Sequence, residues 1–333
     1  MDVSWYRWLV RPWLFRLSPE LAQRLAETAL SFKRLWRATS PRSQTSHPSL
    51  ATSLAGIPLA NPIGLAAGFD KQCQYLDSLG YVGFGYLIGG TVTPDPRPGN
   101  AKPRLLRYPD RESLINSLGF PSDGLEVVAA RLRRLNDRPA PVLVSVAALD
   151  EEGFEQCHRT LEPLVEAVEL NISSPNTQGL RVFLDQERLR LLLERLNTGR
   201  KKPLFVKLPP YTTDEGREQV RALLRACMAA GISGVTAGNT IPISEPKLAI
   251  GAGGLSGRAI FPDMLRVLGE LRQEAGAEFV INACGGIFTG NDAWQALQAG
   301  ANTVQLYTGM VYEGPGIVKD ICKELTQLYQ AAV

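Results

Sequence analysis

Residues 279–309 read FVINACGGIFTGNDAWQALQAGANTVQLYTG. Phe279–Asn282 is a short β-rich run, Cys284–Gly290 a glycine-rich turn, and Ala293–Ala299 has helical spacing. Thr303–Leu306 then returns to β character before a second turn at Tyr307–Gly309. Strand, glycine loop, helix, strand, glycine loop is the repeating unit of a parallel α/β fold. Glycines let backbone N–H groups approach phosphate oxygens, and loops after the last two strands of a closed barrel often take that role. Taken singly, each loop also suits an ordinary turn.

The same alternation runs back toward the N-terminus. Further strands are expected at Ile63–Leu65, Gly85–Ile88, Val142–Val146, Ala167–Asn171, Leu204–Leu208 and Gly234–Ala237. Helices are expected at Leu125–Leu135, Gln186–Leu196, Thr213–Ala230 and Pro262–Ala275. Eight strands in strand-then-helix order predict a (β/α)₈ barrel over residues 46–333, with its chemistry at the strand C-terminal ends. GGLSGR, Gly253–Arg258, reads as a third glycine-rich loop. No repeat of 20 to 50 residues is seen beyond the βα alternation.

Residues 1–45 form a separate small α-helical domain, and TSPRSQTSHP at 39–48 reads as a polar linker. Four of the five tryptophans lie in the first 36 residues, and eight basic groups face three acidic ones before residue 46. After a Ser18-Pro19-Glu20 helix start, Leu21, Leu25, Ala29, Phe32 and Trp36 recur on one face, with Arg24, Lys33, Arg34 and Arg37 off it. Such a helix suits the headgroup layer of an anionic membrane or docking onto the main domain.

Composition excludes several classes. The net charge of +3 gives no footprint for nucleic acid. Five scattered cysteines without CxxC spacing suggest neither a zinc site nor a disulfide framework, and a reducing compartment is expected. His47 and His158 are the only histidines, so His-based metal sites are not expected; both are expected at the surface. No apolar run reaches the ~18–20 residues of a spanning helix, and the N-terminus lacks the order of a secretory signal.

Polar residues gather at the strand ends. ELNISSPNTQGLR supplies Asn171, Ser173, Ser174, Asn176 and Thr177, and other ends carry Lys71, Asn116, Lys207, Asn239 and Thr240. Amides with both donors and acceptors suit a flat carboxylated heterocycle, with Lys71 neutralising a carboxylate and Lys207 a developing charge. Each lysine alone also fits a solvated side chain.

With these loops in order, the chain resembles the dihydroorotate dehydrogenase family. ANPIGLAAGFDK, GTVTPDPRPGN, KPRLLR, NISSPNT, VKLPP, GGLSGR and GGI with YTG occur in the family's order between residues 48 and 325. The resemblance implies FMN, its phosphate held by Gly257, Gly285, Gly286, Tyr307 and Thr308. The flavin ring would rest near Ala66, Ala67, Gly68, Thr91, Ser145, Asn171 and Lys207. The implied substrate, dihydroorotate, would meet Lys71, Asn116, Leu118, Gly119, Phe120, Asn171, Asn176, Asn239 and Thr240. Ser174 would take a proton from one ring carbon while hydride leaves its neighbour for the flavin, with Lys207 stabilising the reduced ring.

Serine at 174 and the N-terminal extension resemble the quinone-reducing class, whose N-terminal helices form an apolar tunnel. Trp13, Phe15, Leu21 and Leu25 would line it, with Arg107 and Tyr307 at its inner end. This implies dihydroorotate, orotate and quinone as partners and no metal. It also implies peripheral attachment to the cytoplasmic face of the cell membrane, or to an organelle's inner membrane. The chain departs from the class in VSVAALD, where Ser145 stands for an expected Asn, in NSLGFPS, and at Gly238, Ile88 and Gln23. A soluble-type enzyme using fumarate or NAD is the alternative within the family. A degenerate flavin-binding barrel serving as a docking module, or a non-redox phosphate-binding barrel, is the alternative outside that chemistry.

Overall fold

The computed structural model describes residues 5–40, 42–173 and 180–331. The strands, in chain order, begin with the antiparallel hairpin β1 (Thr52–Leu54) and β2 (Ile57–Leu59). They continue with β3 (Ile63–Leu65), β4 (Tyr86–Val92), β5 (Leu105–Tyr108), β6 (Ser113–Asn116), β7 (Val142–Val146), β8 (Ala167–Asn171) and β9 (Leu204–Leu208). The last are β10 (Gly234–Ala237), β11 (Ile241–Ser244), β12 (Ala252–Gly257), β13 (Val280–Cys284) and β14 (Thr303–Leu306).

Eight of these close into a barrel in the order β10-β13-β14-β3-β4-β7-β8-β9, with every neighbouring pair parallel. The expected barrel is therefore present, and six strands keep their expected limits. β4 and β13 run further toward the mouth. In β4 the Gly89-Gly90 pair reads as a breaker, yet tertiary packing requires glycine there: a Cβ on Gly89 would lie 2.5 Å from Cys73 Sγ.

Strand alternation sorts the interior. Tyr86, Ile88, Leu143, Ala167 and Phe205 fill the lower barrel, and Leu54 and Leu59 of the hairpin close it. Outside, helical spacing does the work. Leu189, Leu192, Leu193 and Leu196 of helix Gln186–Asn197, and Val220, Leu223, Leu224 and Cys227 of Asp214–Ala229, are buried in the outer core. Truncating one such leucine to alanine costs about 2–5 kcal/mol.

Two expectations need correction. GGLSGR is not a loop: Ala252–Gly257 is β12, inside an antiparallel sheet of order β11-β12-β6-β5 that stands beside the barrel mouth. Its glycines hide the apolar alternation that marks a strand. His158 is not at the surface but 5% exposed, on the inner face of helix Glu151–Leu161. Burial holds its pKa below the ordinary value, against the pull of Glu162, whose Oε1 lies 3.8 Å from the His158 Nε2.

The N-terminal segment contains a π-helical turn, Tyr6–Val10, then α1 (Arg11–Arg16) and α2 (Pro19–Leu30), the latter capped by the Ser18 hydroxyl. Arg7 pairs with the buried Glu313, Tyr6 donates to the Val311 carbonyl at 2.9 Å, and Arg11 to that of Tyr312 at 3.1 Å. Of the apolar stripe, expected either to meet a membrane or to dock on the main domain, Leu21, Leu25 and Phe32 are exposed, while Trp36 packs against the core and Leu25, Ala29 and Trp36 border a cavity facing the barrel. Among the described residues, no helix is long and apolar enough to cross a membrane.

Candidate functional site

A cleft opens at the C-terminal ends of the strands. Its lining comes from the β3 loop (Ala66, Ala67, Gly68), the accessory sheet (Leu105, Leu114, Asn116, Ser256, Gly257), Asn171 and Lys207 of β8 and β9, and the loops after β10, β13 and β14. Thus Asn239, Thr240, Gly285, Gly286, Tyr307 and Thr308, far apart in sequence, share one wall.

A hydrogen-bonded chain fixes one side. Ser145 Oγ lies 3.1 Å from Thr91 Oγ1, and the Asn171 amide donates to the same Thr91 oxygen at 3.1 Å. The Ser173 hydroxyl donates to Asn171 Oδ1 at 3.4 Å and accepts from the Asn239 amide at 2.8 Å. The Thr240 backbone N–H donates to Asn239 Oδ1 at 2.8 Å, which settles which way that amide points. Ser145 itself is fully buried and stands behind Thr91. The sequence places Ser173 among the polar strand-end residues but gives it no contact of its own; the structure sets it between Asn171 and Asn239.

The far end of the cleft is built for an anion. The Gly285 and Gly286 amides find no acceptor among the described residues, and Ser256 Oγ and Thr308 Oγ1 lie 2.9 Å apart beside them. Gly286 has φ +74°, and a Cβ there would lie 2.6 Å from the Phe261 Cβ, so only glycine leaves this backbone in place.

Lys207 is 5% exposed, with its Nζ 4.0 Å from Cys284 Sγ. Burial opposes its charge, but Cys284 and Glu169 outweigh that and hold its pKa above the ordinary value. Burial pushes the Cys284 thiol up as well. Lys71 lines an adjoining hollow with Gly68, Thr91, Asn116, Leu118, Gly119 and Phe120. Its Nζ is buried and has no hydrogen-bond partner among the described residues. A buried cation in that state is matched by an anionic ligand.

A second cavity, about 420 Å³, lies between the N-terminal helices and the barrel. Leu14, Phe15, Ala22, Leu25, Ala26 and Leu30 wall it on one side, and Phe69, Tyr307 and Met310 on the other. Arg107 marks its inner part, its guanidinium 4.6 Å over the Phe15 ring and donating to the Leu14 carbonyl at 3.0 Å and to that of Leu17. Leu105, Leu114 and Tyr307 line both cavities and form their common wall.

The family model described as Dihydroorotate dehydrogenase matches residues 49–329. The chain belongs to the dihydroorotate dehydrogenase family. A relative from Coxiella burnetii (strain Dugway 5J108-111), named Dihydroorotate dehydrogenase (quinone), is 39% identical and 96% of each chain is covered. One of the same name from Roseiflexus sp. (strain RS-1) is 40% identical, with 96% of this chain and 93% of the other covered. The solved structure of the Eimeria tenella enzyme in complex with ferulenol superposes with a TM-score of 0.84 at 28% identity, covering 95% of this chain and 92% of that one.

Within this family framework, most of the residues singled out in the sequence meet at one place. Ala66, Ala67, Gly68, Asn171, Lys207, Gly257, Gly285, Gly286, Tyr307 and Thr308 line the cleft, as do Asn116, Leu118, Asn239 and Thr240. Ser174 and Asn176 lie outside the described residues. Two expectations for the tunnel fail: Trp13 and Leu21 are 68% and 39% exposed and do not line it. Trp13 instead faces outward, with Arg16 4.9 Å over its ring.

Proposed function

We infer that this chain oxidises dihydroorotate to orotate with a quinone as final oxidant, a step of pyrimidine biosynthesis. The common wall of Leu105, Leu114 and Tyr307 carries the reading, because it sets a polar cleft directly against an apolar tunnel. FMN is the flavin proposed for the cleft. The Gly285 and Gly286 amides, without an acceptor among the described residues, fit its phosphate together with Ser256 and Thr308, and the glycine that packing against Phe261 requires at 286 holds this backbone in place. When bound, FMN accepts a hydride and passes the electrons on.

The chain's own residues do the rest. Lys71 binds the substrate carboxylate, and Asn116, Asn171, Asn239 and Thr240 orient the ring through paired donors and acceptors. Ser174 removes the proton, and a serine hydroxyl is a weak enough base to need an onward relay. Lys207, held protonated, faces the flavin edge where negative charge develops. The half-buried tunnel and the exposed Trp8, Trp13, Phe32 and Leu35, flanked by Arg16, Arg24, Arg34 and Arg37, support peripheral binding of residues 1–40 to a membrane surface that supplies the quinone.

Anaerobic mixing of the purified yellow protein with dihydroorotate, followed by a short-chain quinone, tests the whole sequence. Bleaching of the flavin bands and their return on quinone addition are expected. Return only with fumarate or NAD would overturn the quinone assignment.

A further inference from the structure

The barrel interior below the cleft holds a carboxylate that the reaction above does not use. Glu169 is 1% exposed, on β8 two residues before Asn171. Its Oε2 accepts from the Thr236 hydroxyl at 2.7 Å, and its Oε1 is buried with no hydrogen-bond partner among the described residues. Gln305 donates to the same Thr236 oxygen at 3.4 Å, and its own Oε1 is also buried without a donor. Burying a carboxylate costs several kcal/mol unless a counter-charge repays it, and an apolar residue would pack this barrel layer without that cost.

A buried cation stands on the neighbouring strand: Lys207 is 5% exposed. Lys207 on β9 pairs in register with Asn171 of β8 and with Thr236 of β10, the residue that holds Glu169. We propose that Glu169 is the buried counter-charge of Lys207, a positioning residue that sets the reduction potential of the bound flavin by fixing both the protonation and the net field of the lysine. The proposal rests on the flavin reading above and deepens it.

The physics gives two opposed effects. Without an anion, a fully buried lysine loses its proton more readily, because burial disfavours the charged form. With Glu169 present the lysine stays protonated, but the carboxylate cancels part of the positive field that favours the reduced, more negative ring. The other titratable groups facing this pair are Cys284 from β13 and Tyr86 from β4. Burial raises both, which keeps them neutral in the working range.

Spectroelectrochemical titration of the flavin in the holoprotein, from pH 6 to 9, tests this with Glu169→Gln. At the acid end, where Lys207 keeps its proton, the reduction equilibrium should shift at least tenfold toward reduced flavin, ~30 mV for two electrons. Toward the alkaline end the potential should fall, with a break at lower pH than in the unaltered protein. Thr236→Val, which removes a hydrogen bond that favours the charged carboxylate, should favour its neutral form and so shift the same way by less. In a Lys207→Met background, Glu169→Gln should produce no shift.

A potential unmoved in both single variants overturns the proposal, as does a Glu169 effect that survives the loss of Lys207. A purified holoprotein without flavin absorbance overturns the underlying flavin reading instead. Should Glu169→Gln not fold, Thr236→Val alone and in the Lys207→Met background carries the same decision: a shift in the first and none in the second.

Discussion

Lys71 is the side chain whose state most needs a partner: a buried ammonium with none of its donors used. A charge-assisted bond to a substrate carboxylate supplies about 1.5–3 kcal/mol, so Lys71→Ala should raise the KM for dihydroorotate roughly tenfold to a hundredfold. The flavin spectrum of the variant should be unchanged; an unchanged KM would remove Lys71 from the substrate. Ser174→Ala should keep FMN and substrate binding but lose turnover by roughly 10²–10⁴ at neutral pH, and stopped-flow flavin reduction checks it. His158 makes a prediction of opposite kind, about stability. Its folded pKa is depressed by burial, so the unfolded chain binds more protons once the pH falls below about 6.5, the ordinary histidine value. Stability should therefore decline on acidification from pH 7 toward 5, and His158→Gln should flatten that decline in thermal melts. A steeper decline in the variant would show that the histidine is not its source.

At the level of elements, short glycine-bearing segments decide where backbone can meet ligand. A Cβ at Gly286 meets Phe261, and one at Gly238, with φ +111°, would lie 2.2 Å from the Cys284 carbonyl oxygen. The family resemblance leads one to expect threonine at 238, yet here the end of β10 approaches β13 so closely that no side chain fits. Gly286→Ala should lower flavin occupancy of the purified protein, read as the ratio of flavin to protein absorbance, while circular dichroism keeps its barrel signature. The accessory sheet shows what local pattern misses. β12 contributes Ser256 and Gly257 to the cleft, but AGGLSG has none of the alternation that announces a strand. The barrel strands were legible because parallel strands buried on both faces read as continuous apolar runs.

Across the whole molecule, the N-terminal segment is joined to the barrel by polar clasps more than by its apolar stripe. The turn Arg42–Thr45 stays with the barrel, since Asn61 donates to the Thr45 carbonyl at 3.0 Å. Removing residues 1–40 should therefore leave a folded, flavin-bearing barrel that dihydroorotate still bleaches. Quinone reduction and co-sedimentation with anionic vesicles should both be lost, and retained quinone kinetics would dismiss the tunnel. The repeating βα unit, the eight strands, the glycine turns and the strand-end amides were all written in the chain, because periodicity and backbone freedom are local properties. Which of those residues share a wall was not. The hollow that isolates Lys71, the wall common to cleft and tunnel, and the placing of Glu169 and Lys207 on paired strands depend on the tertiary fold. Folding brings together residues from separate stretches of the chain, and charges interact strongly only once water has been excluded between them.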